Sequence, residues 1–326
     1  MPLPLVLHLI DDTTPGGVMR VIDFLTTSPA MSAFARHQVM RVSRGAALPA
    51  CRADVIVSHL TVNWRALPRL IAFRARHAHL PLVHVEHSYT ESFTAQNVPG
   101  KGRFFALLRT AYALFDRVVA VSDAQGDWLR SRGLVRASAL RVISSTVDLS
   151  GFHALPAPRG RARVIGGIGR LHRQKGFDVL INAFRALPGA ELELHLYGEG
   201  PEKAALQALA GDDPRIFFAG HTDDPETAMR AVDVVAMPSR WEAFGLVALE
   251  TRAAGRRLIC AQVDGLRDSG DGGLFVRGHR TEDWTAALLA TLASAPPPRL
   301  APGADSAAAD WQAMIAELNC AEAAAA

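Results

Sequence analysis

Gly166-Gly167-Ile168-Gly169-Arg170-Leu171-His172-Arg173-Gln174-Lys175-Gly176 joins a short apolar run, 162–168, to a longer amphipathic one, 177–186. The first run is β-branched and the length of a buried strand. The second has apolar residues at helical spacing, and a glycine-rich turn separates the two. This strand-turn-helix unit repeats in both directions. Downstream, the pattern predicts strands over 191–197, 216–219, 234–237 and 258–260, with helices over 202–209, 226–231 and 244–254 between them. Gly255 stands where a helix C-terminal glycine belongs. Helices over 284–293 and 306–318 close the chain before an Ala-rich end that frays. Upstream, strands are expected over 3–10, 39–42, 54–58, 82–86 and 117–121, with helices over 18–27, 62–77, 103–115 and 123–132. Pro68 kinks the second of these helices or marks its true start, and Ser122-Asp123 is an N-cap signal for the last. Strands separated by helices imply βαβ units and parallel sheets. The order of the strands within a sheet is not legible.

A chain of 326 residues is long for one compact core, so two domains are expected. Hydrophobic residues at 49% and charged residues at 21% describe a globular protein. Cys51, Cys260 and Cys320 lie far apart with no Cys-x-x-Cys, which argues against a disulfide framework or a zinc site and fits a reducing compartment. No signal-peptide pattern opens the chain, and no apolar run reaches the roughly 18 residues of a membrane span. A cytoplasmic location follows as the expectation. The net charge of +3 is uneven: residues 1–150 carry 17 Lys+Arg against 10 Asp+Glu, a balance of +7, and the remainder carries 18 against 22, a balance of −4. Either an arginine-rich composition scatters such excesses, or the N-terminal half meets an anionic partner such as a bilayer or a phosphate-bearing acceptor. No basic run with interleaved aromatics suggests nucleic acid. Gly151, Pro156, Pro158 and Gly160 break the periodicity over 144–163, the best linker candidate.

The glycine-rich turn brings backbone amides and a helix N-terminus toward an anion, with Arg170 and Lys175 to neutralise a diphosphate. It lacks the Gly-Lys-Ser/Thr of a Walker A loop and the spacing of a dinucleotide fingerprint. Alone, such a stretch is more often a tight strand-to-helix turn than a phosphate site. A second stretch, Pro238-Ser239-Arg240-Trp241-Glu242-Ala243-Phe244-Gly245-Leu246-Val247-Ala248-Leu249-Glu250, sets two glutamates eight residues apart. On helical rise that is about 12 Å along the axis, beyond the roughly 5–9.5 Å between the two carboxylates of a glycosidase. They suit different parts of one long ligand, Glu242 a sugar and Glu250 a ribose, with the Ala243–Leu246 amides meeting the charge between them. Two solvated glutamates around an ordinary helix is the plain alternative.

Glu242-x7-Glu250 after Pro238-Ser239, with Gly169-Arg170-Leu171 and Lys175-Gly176 upstream, resembles the retaining glycosyltransferases of family four, which have the GT-B fold. Tyr197-Gly198-Glu199-Gly200-Pro201 is similar to that family's glycine-rich strand end, and 217–220 and 233–239 to its paired segments. The resemblance covers most of 140–280 and is looser over 1–140. It implies two Rossmann-like doubly wound α/β domains facing each other across a cleft. Their expected bounds are 1–145 on the acceptor side, 146–162 as linker and 163–300 for the nucleotide-sugar, with 301–326 packing back toward the first domain. It implies transfer of a sugar from a nucleotide-diphosphate sugar to an acceptor hydroxyl with retention of configuration. The catalytic residues would be His87, Glu242, Arg170 and Lys175. The donor would bind at Gly16, Gly17, Gly169, Gly198, Ala243, Phe244, Gly245, Leu246 and Glu250. His59 is an acceptor-side candidate. His59 and His87 follow predicted strands, where open α/β sheets place ligands.

Charge on the departing diphosphate would be met by Arg170, Lys175 and the oriented amides. The sequence holds no Asp-x-Asp, the pattern of metal-dependent sugar transferases, and the resemblance also implies no metal and no cofactor. With no well-placed carboxylate nucleophile, attack on the same face assisted by the leaving phosphate is the natural hypothesis. One departure concerns 263–269, Val-Asp-Gly-Leu-Arg-Asp-Ser, where the family often has Gly-Gly-x-x-Glu; Asp268 is the expected substitute. The acceptor is expected to be a sugar or lipid-linked precursor in polysaccharide, lipopolysaccharide or glycolipid synthesis. Arg65, Arg69 and Arg76 on one helical stripe, and Lys101, Arg103 and Arg109 flanking 104–108, suggest transient contact with an anionic inner membrane face; a solvated face over a core helix is the alternative. A sugar-nucleotide epimerase or phosphorylase, a noncatalytic nucleotide-sugar-binding protein and an NAD-dependent oxidoreductase are the rival readings.

Overall fold

The computed structural model describes residues 3–158, 160–303 and 307–325, the last six by backbone alone. Ser306 and the side chains from Cys320 onward therefore lie outside the described residues, while the backbone over Ala307–Ala325 is helical. The chain divides into two compact units, Met1–Asp148 with Asp305–Ala326, and Leu149–Ala304.

The first unit contains β1 (Leu5–Ile10), β2 (Arg36–Arg41), β3 (Val55–Ser58), β4 (Leu82–Glu86), β5 (Arg117–Ala120) and β6 (Leu140–Val142). They form one parallel sheet in the order β2-β1-β3-β4-β5-β6. β3 and β4 are buried along their whole length, as strands covered on both faces must be. One face packs Leu7, Leu9, Ile56, Leu82 and Val118 against Leu70, Phe73, Leu108 and Trp128 of the surrounding helices. β2 begins three residues earlier than expected and is mostly exposed, because it is the edge strand and only its apolar tail was visible as a strand. The helix expected over 62–77 is Leu67–Arg76, with Pro68 in its first turn, where the missing N–H costs nothing. Ser122 caps its helix as expected, accepting from the Gln125 amide.

The second unit contains β7 (Val164–Ile168), β8 (Glu193–Tyr197), β9 (Ile216–Gly220), β10 (Val234–Met237), β11 (Arg257–Ala261) and β12 (Leu274–Val276). Their order is β12-β11-β10-β7-β8-β9, again parallel. The helix Phe177–Arg185 buries Phe177, Leu180, Ile181 and Phe184 on this sheet. Trp284, fully buried, anchors the helix Thr281–Ala293 and donates its indole N–H to the Gly278 carbonyl at 3.2 Å. The stretch read as a linker is structured at its start: the short helix Ser150–His153 inserts Phe152 into a core with Met229, Val235 and Leu258.

Removing Trp284 empties the centre of the larger cluster of the second unit. Trp284→Ala is expected to lower unfolding free energy by about 3–5 kcal/mol, read as a drop in the urea midpoint. A loss below about 1 kcal/mol would contradict this assignment of the core.

Candidate functional site

In the second unit the strand order reverses between β7 and β10, so the segments leaving their carboxyl ends diverge to opposite sides. Open α/β sheets bind ligands outside the strand carboxyl ends at such a switch point. The two segments are 169–176 and 238–242, the same two that the sequence singled out. They are joined by an ion pair, Lys175 Nζ to Glu242 Oε2 at 2.6 Å, with side chains 17% and 13% exposed. Ser239 Oγ lies 3.4 Å from the same oxygen. Around the pair the segments are laced together. The Arg240 amide donates to the Gln174 carbonyl at 2.7 Å, and Gln174 Nε2 to the Trp241 carbonyl at 3.0 Å. Arg240 grips both carboxylate oxygens of Asp178 at 2.9 and 2.7 Å. Burial works against the Asp178 charge, yet this guanidinium holds its carboxyl below the usual range.

Two glycines permit the approach. Gly176 has φ +67°, and a Cβ there would stand 2.1 Å from the Pro238 carbonyl oxygen; at Gly198 a Cβ would stand 2.0 Å from that of Gly169. No side chain fits either gap. Arg170 is exposed and makes no ion pair among the described residues, which leaves its guanidinium available to an anion.

The helix carrying Glu250 is Leu246–Ala253, and it starts two residues later than expected. Gly245 precedes it at φ +97°, and Ala243 and Phe244 lie buried in the turn before it. Glu242 is thus off the helix, and helical rise does not measure its distance from Glu250, which is 1% exposed. The atypical 263–269 stretch packs beneath this turn. Gly265 N donates to the Glu242 carbonyl at 3.0 Å, and Ser269 Oγ to the Phe244 carbonyl at 2.6 Å. The carboxylate that reaches Glu242 is Asp264, accepting from its amide at 3.4 Å. Asp268, the expected substitute, lies beyond it in the short helix Leu266–Ser269.

In the first unit the order reverses at β1 and β3. Gly17 opens the helix Gly17–Thr27 that follows β1, and Gly16 before it is extended. A Cβ at Gly16 would meet only the Thr14 carbonyl, at 3.9 Å, so the fold itself does not demand glycine there. Beyond β3 and β4, His59 Nδ1 and His87 Nε2 are 2.8 Å apart. The contact continues inward: His59 Nε2 to His8 Nδ1 at 3.0 Å, and His8 Nε2 to His37 Nδ1 at 3.1 Å. Sequence reading found His59 and His87 and missed the other two. The signal for His8 was a lone polar residue in an otherwise apolar strand, Leu-Val-Leu-His-Leu-Ile.

Burial lowers the pKa of all four rings: His8 to about 3, His87 to about 4, His59 well below its usual value, and His37 below it. Neighbouring rings lower His8 and His59 further, whereas Glu86 works the other way on His87. Glu86 also fixes the turn that carries His87. Its carboxylate accepts the Ser88 and Tyr89 amides at 2.8 and 2.9 Å and the Tyr112 hydroxyl at 2.7 Å.

Three of the arginines suggested for membrane contact have partners within the fold. Arg69 pairs with Asp11 at 2.8 Å, both nearly buried, and Arg76 and Arg109 donate to backbone carbonyls. Leu107 and Leu108 are core, with Phe104 and Phe105 packed against them. Arg65 precedes the helix rather than sharing a stripe on it. Among the described residues, no helix is long and apolar enough to cross a membrane.

Residues 162–294 match the family model for Glycosyl transferases group 1, and residues 17–150 match that for Glycosyltransferase Family 4. Each half of the chain thus matches a glycosyltransferase family model. A D-inositol 3-phosphate glycosyltransferase of Saccharomonospora viridis is 33% identical over 64% of this chain and 56% of its own length. That of Actinosynnema mirum is 32% identical over 72% of this chain and 63% of its own. The chain thus spans little more than half the length of these curated relatives. Its fold is that of the GT-B glycosyltransferases: HepE of Anabaena, solved in complex with UDP-glucose, aligns with TM-score 0.67 and 19% identity over 99% of both chains.

Histidines kept neutral by burial bind fewer protons when folded than when unfolded below pH 6.5, so stability rises with pH there and is lost on acidification. His8 alone is expected to cost roughly 2 kcal/mol between pH 7 and pH 5. Urea midpoints at those two pH values should therefore fall further for the wild type than for His8→Phe. Equal falls would contradict a neutral, buried His8.

Proposed function

We propose that the chain transfers a glycosyl group from a nucleotide-diphosphate sugar to an acceptor hydroxyl with retention of configuration. The observation carrying this reading is the Lys175–Glu242 pair at the switch point of the second unit, beside an exposed Arg170. The two cations would take up charge building on the departing diphosphate, which is electrostatic stabilisation of a leaving group. Glu242 would orient the sugar hydroxyls and Glu250 hold the ribose. His87 would act on the sugar or acceptor from the first unit. The domain matches support a glycosyltransferase, and the UDP-glucose bound by HepE supports a nucleotide-sugar as donor. The acceptor class proposed is a sugar or lipid-linked sugar hydroxyl, and no metal or cofactor is invoked.

The test is to incubate the protein with UDP-, GDP- and ADP-sugars and a panel of glycoside and lipid-linked acceptors, following diphosphate release and the product's anomeric proton. The expected outcome is acceptor-dependent release and a product with the donor's anomeric configuration. Turnover should slow by about 100-fold or more in Glu242→Gln, the scale of losing one oriented group at a reacting centre. Inverted product would overturn retention. Turnover that ignores the acceptor would point to an epimerase or phosphorylase instead.

A further inference from the structure

Four histidines of the first unit, one from each of four neighbouring strands or strand ends, follow the sheet's spatial order. His37 is in β2, His8 in β1, His59 directly after β3 and His87 directly after β4. Their ring centroids are 5.4, 5.3 and 5.1 Å apart, close to the spacing of hydrogen-bonded strands. The row climbs from the second residue of the edge strand to the carboxyl ends of β3 and β4, where α/β sheets hold ligands. The nitrogens do not converge on a point, as metal ligands would. Six of the eight are spent on neighbouring rings, and among the described residues His87 Nδ1 and the buried His37 Nε2 have no hydrogen-bond partner.

A neutral imidazole has one N–H and one bare nitrogen. Each of the three contacts needs one hydrogen, so two arrangements satisfy all of them. In one, every ring carries its proton on Nε2, and His87 Nδ1 is a bare acceptor. In the other, every ring carries it on Nδ1, and His87 Nδ1 is a donor. Any mixture leaves a contact with two hydrogens or none, which in a buried row is costly.

We propose that these four rings act as one unit, in which His8, His37 and His59 are positioning residues that set the tautomer of His87 and couple it to the edge of the sheet. The tautomers of His87, His59, His8 and His37 are set together, because each of the three contacts holds one hydrogen. A hydroxyl donating to His87 selects the first arrangement; an oxygen accepting from it selects the second. The groups facing the row are Glu86, which is hydrogen-bonded to Tyr112, together with His84 beside it and the Met31 carbonyl. Val21, Leu25 and Trp311 from two helices close the wall beside His87.

The use of the row in glycosyl transfer rests on the function proposed above, but the coupling is a property of the chain without substrate, so either can fail alone. The test is long-range 1H–15N correlation of the histidine rings in 15N-labelled protein at pH 7.5. The expected spectrum shows His8, His37, His59 and His87 neutral and in one shared tautomer. His37→Phe, at the half-exposed end of the row, should shift the ring nitrogens of His87 three rings away toward averaged values, with the melting temperature retained. His8→Phe should do the same from the middle. Different tautomers within the row, or His87 nitrogens unmoved in the His37→Phe protein, would overturn the coupling; in that case the rings merely fill space.

Discussion

An ammonium and a carboxylate held 2.6 Å apart, one from each of two segments that leave adjacent strands and diverge, set the character of the second unit. Such a pair, mostly withdrawn from water, persists only if the backbone around it is fixed. Here the fixing is visible: a glycine pressed against the Pro238 carbonyl, an arginine gripping Asp178, and a glutamine bonded to the Trp241 carbonyl. The parallel sheet supplies the setting, since its switch point sends these segments past one another at the strand carboxyl ends. Lys175, Gly176, Ser239 and Glu242 all lie at that point.

The first unit uses the same sheet logic for another purpose. Neighbouring strands lie about 4.8 Å apart, which is also close to the separation of two imidazoles sharing a proton. Parallel register turns one histidine per strand into a continuous row, and Glu86 fixes the turn at its end through two amides and a tyrosine hydroxyl. Burial keeps the rings neutral, and neutrality gives the row a direction.

The sequence made the alternation of strands and helices legible because parallel strands are short apolar runs and the intervening helices carry their own periodicity. It missed β6 and β12, three residues each, because runs so short have no period. It misplaced β2 because an edge strand need not be apolar. Lys175 and Glu242 were legible because each sits in a stretch of specific chemistry beside a predicted strand end. Their contact was not, because it depends on β10 lying next to β7, and strand order is a property of packing rather than of local sequence. The same reason hid the link from His87 to His8 and His37. Asp264 went unnoticed for a different one: its role follows from a turn at φ +34°, which no periodicity announces.

The central claim is that Lys175 and its partner loop form the anion-binding centre of a nucleotide-sugar site. Calorimetric titration of the intact chain with UDP, GDP and ADP tests it most directly. One of the three should bind the wild type and lose affinity at least tenfold in Lys175→Ala, about 1.4 kcal/mol, in line with a hydrogen bond to a charged group. Undiminished binding in Lys175→Ala, or no binding of any of the three, would contradict it.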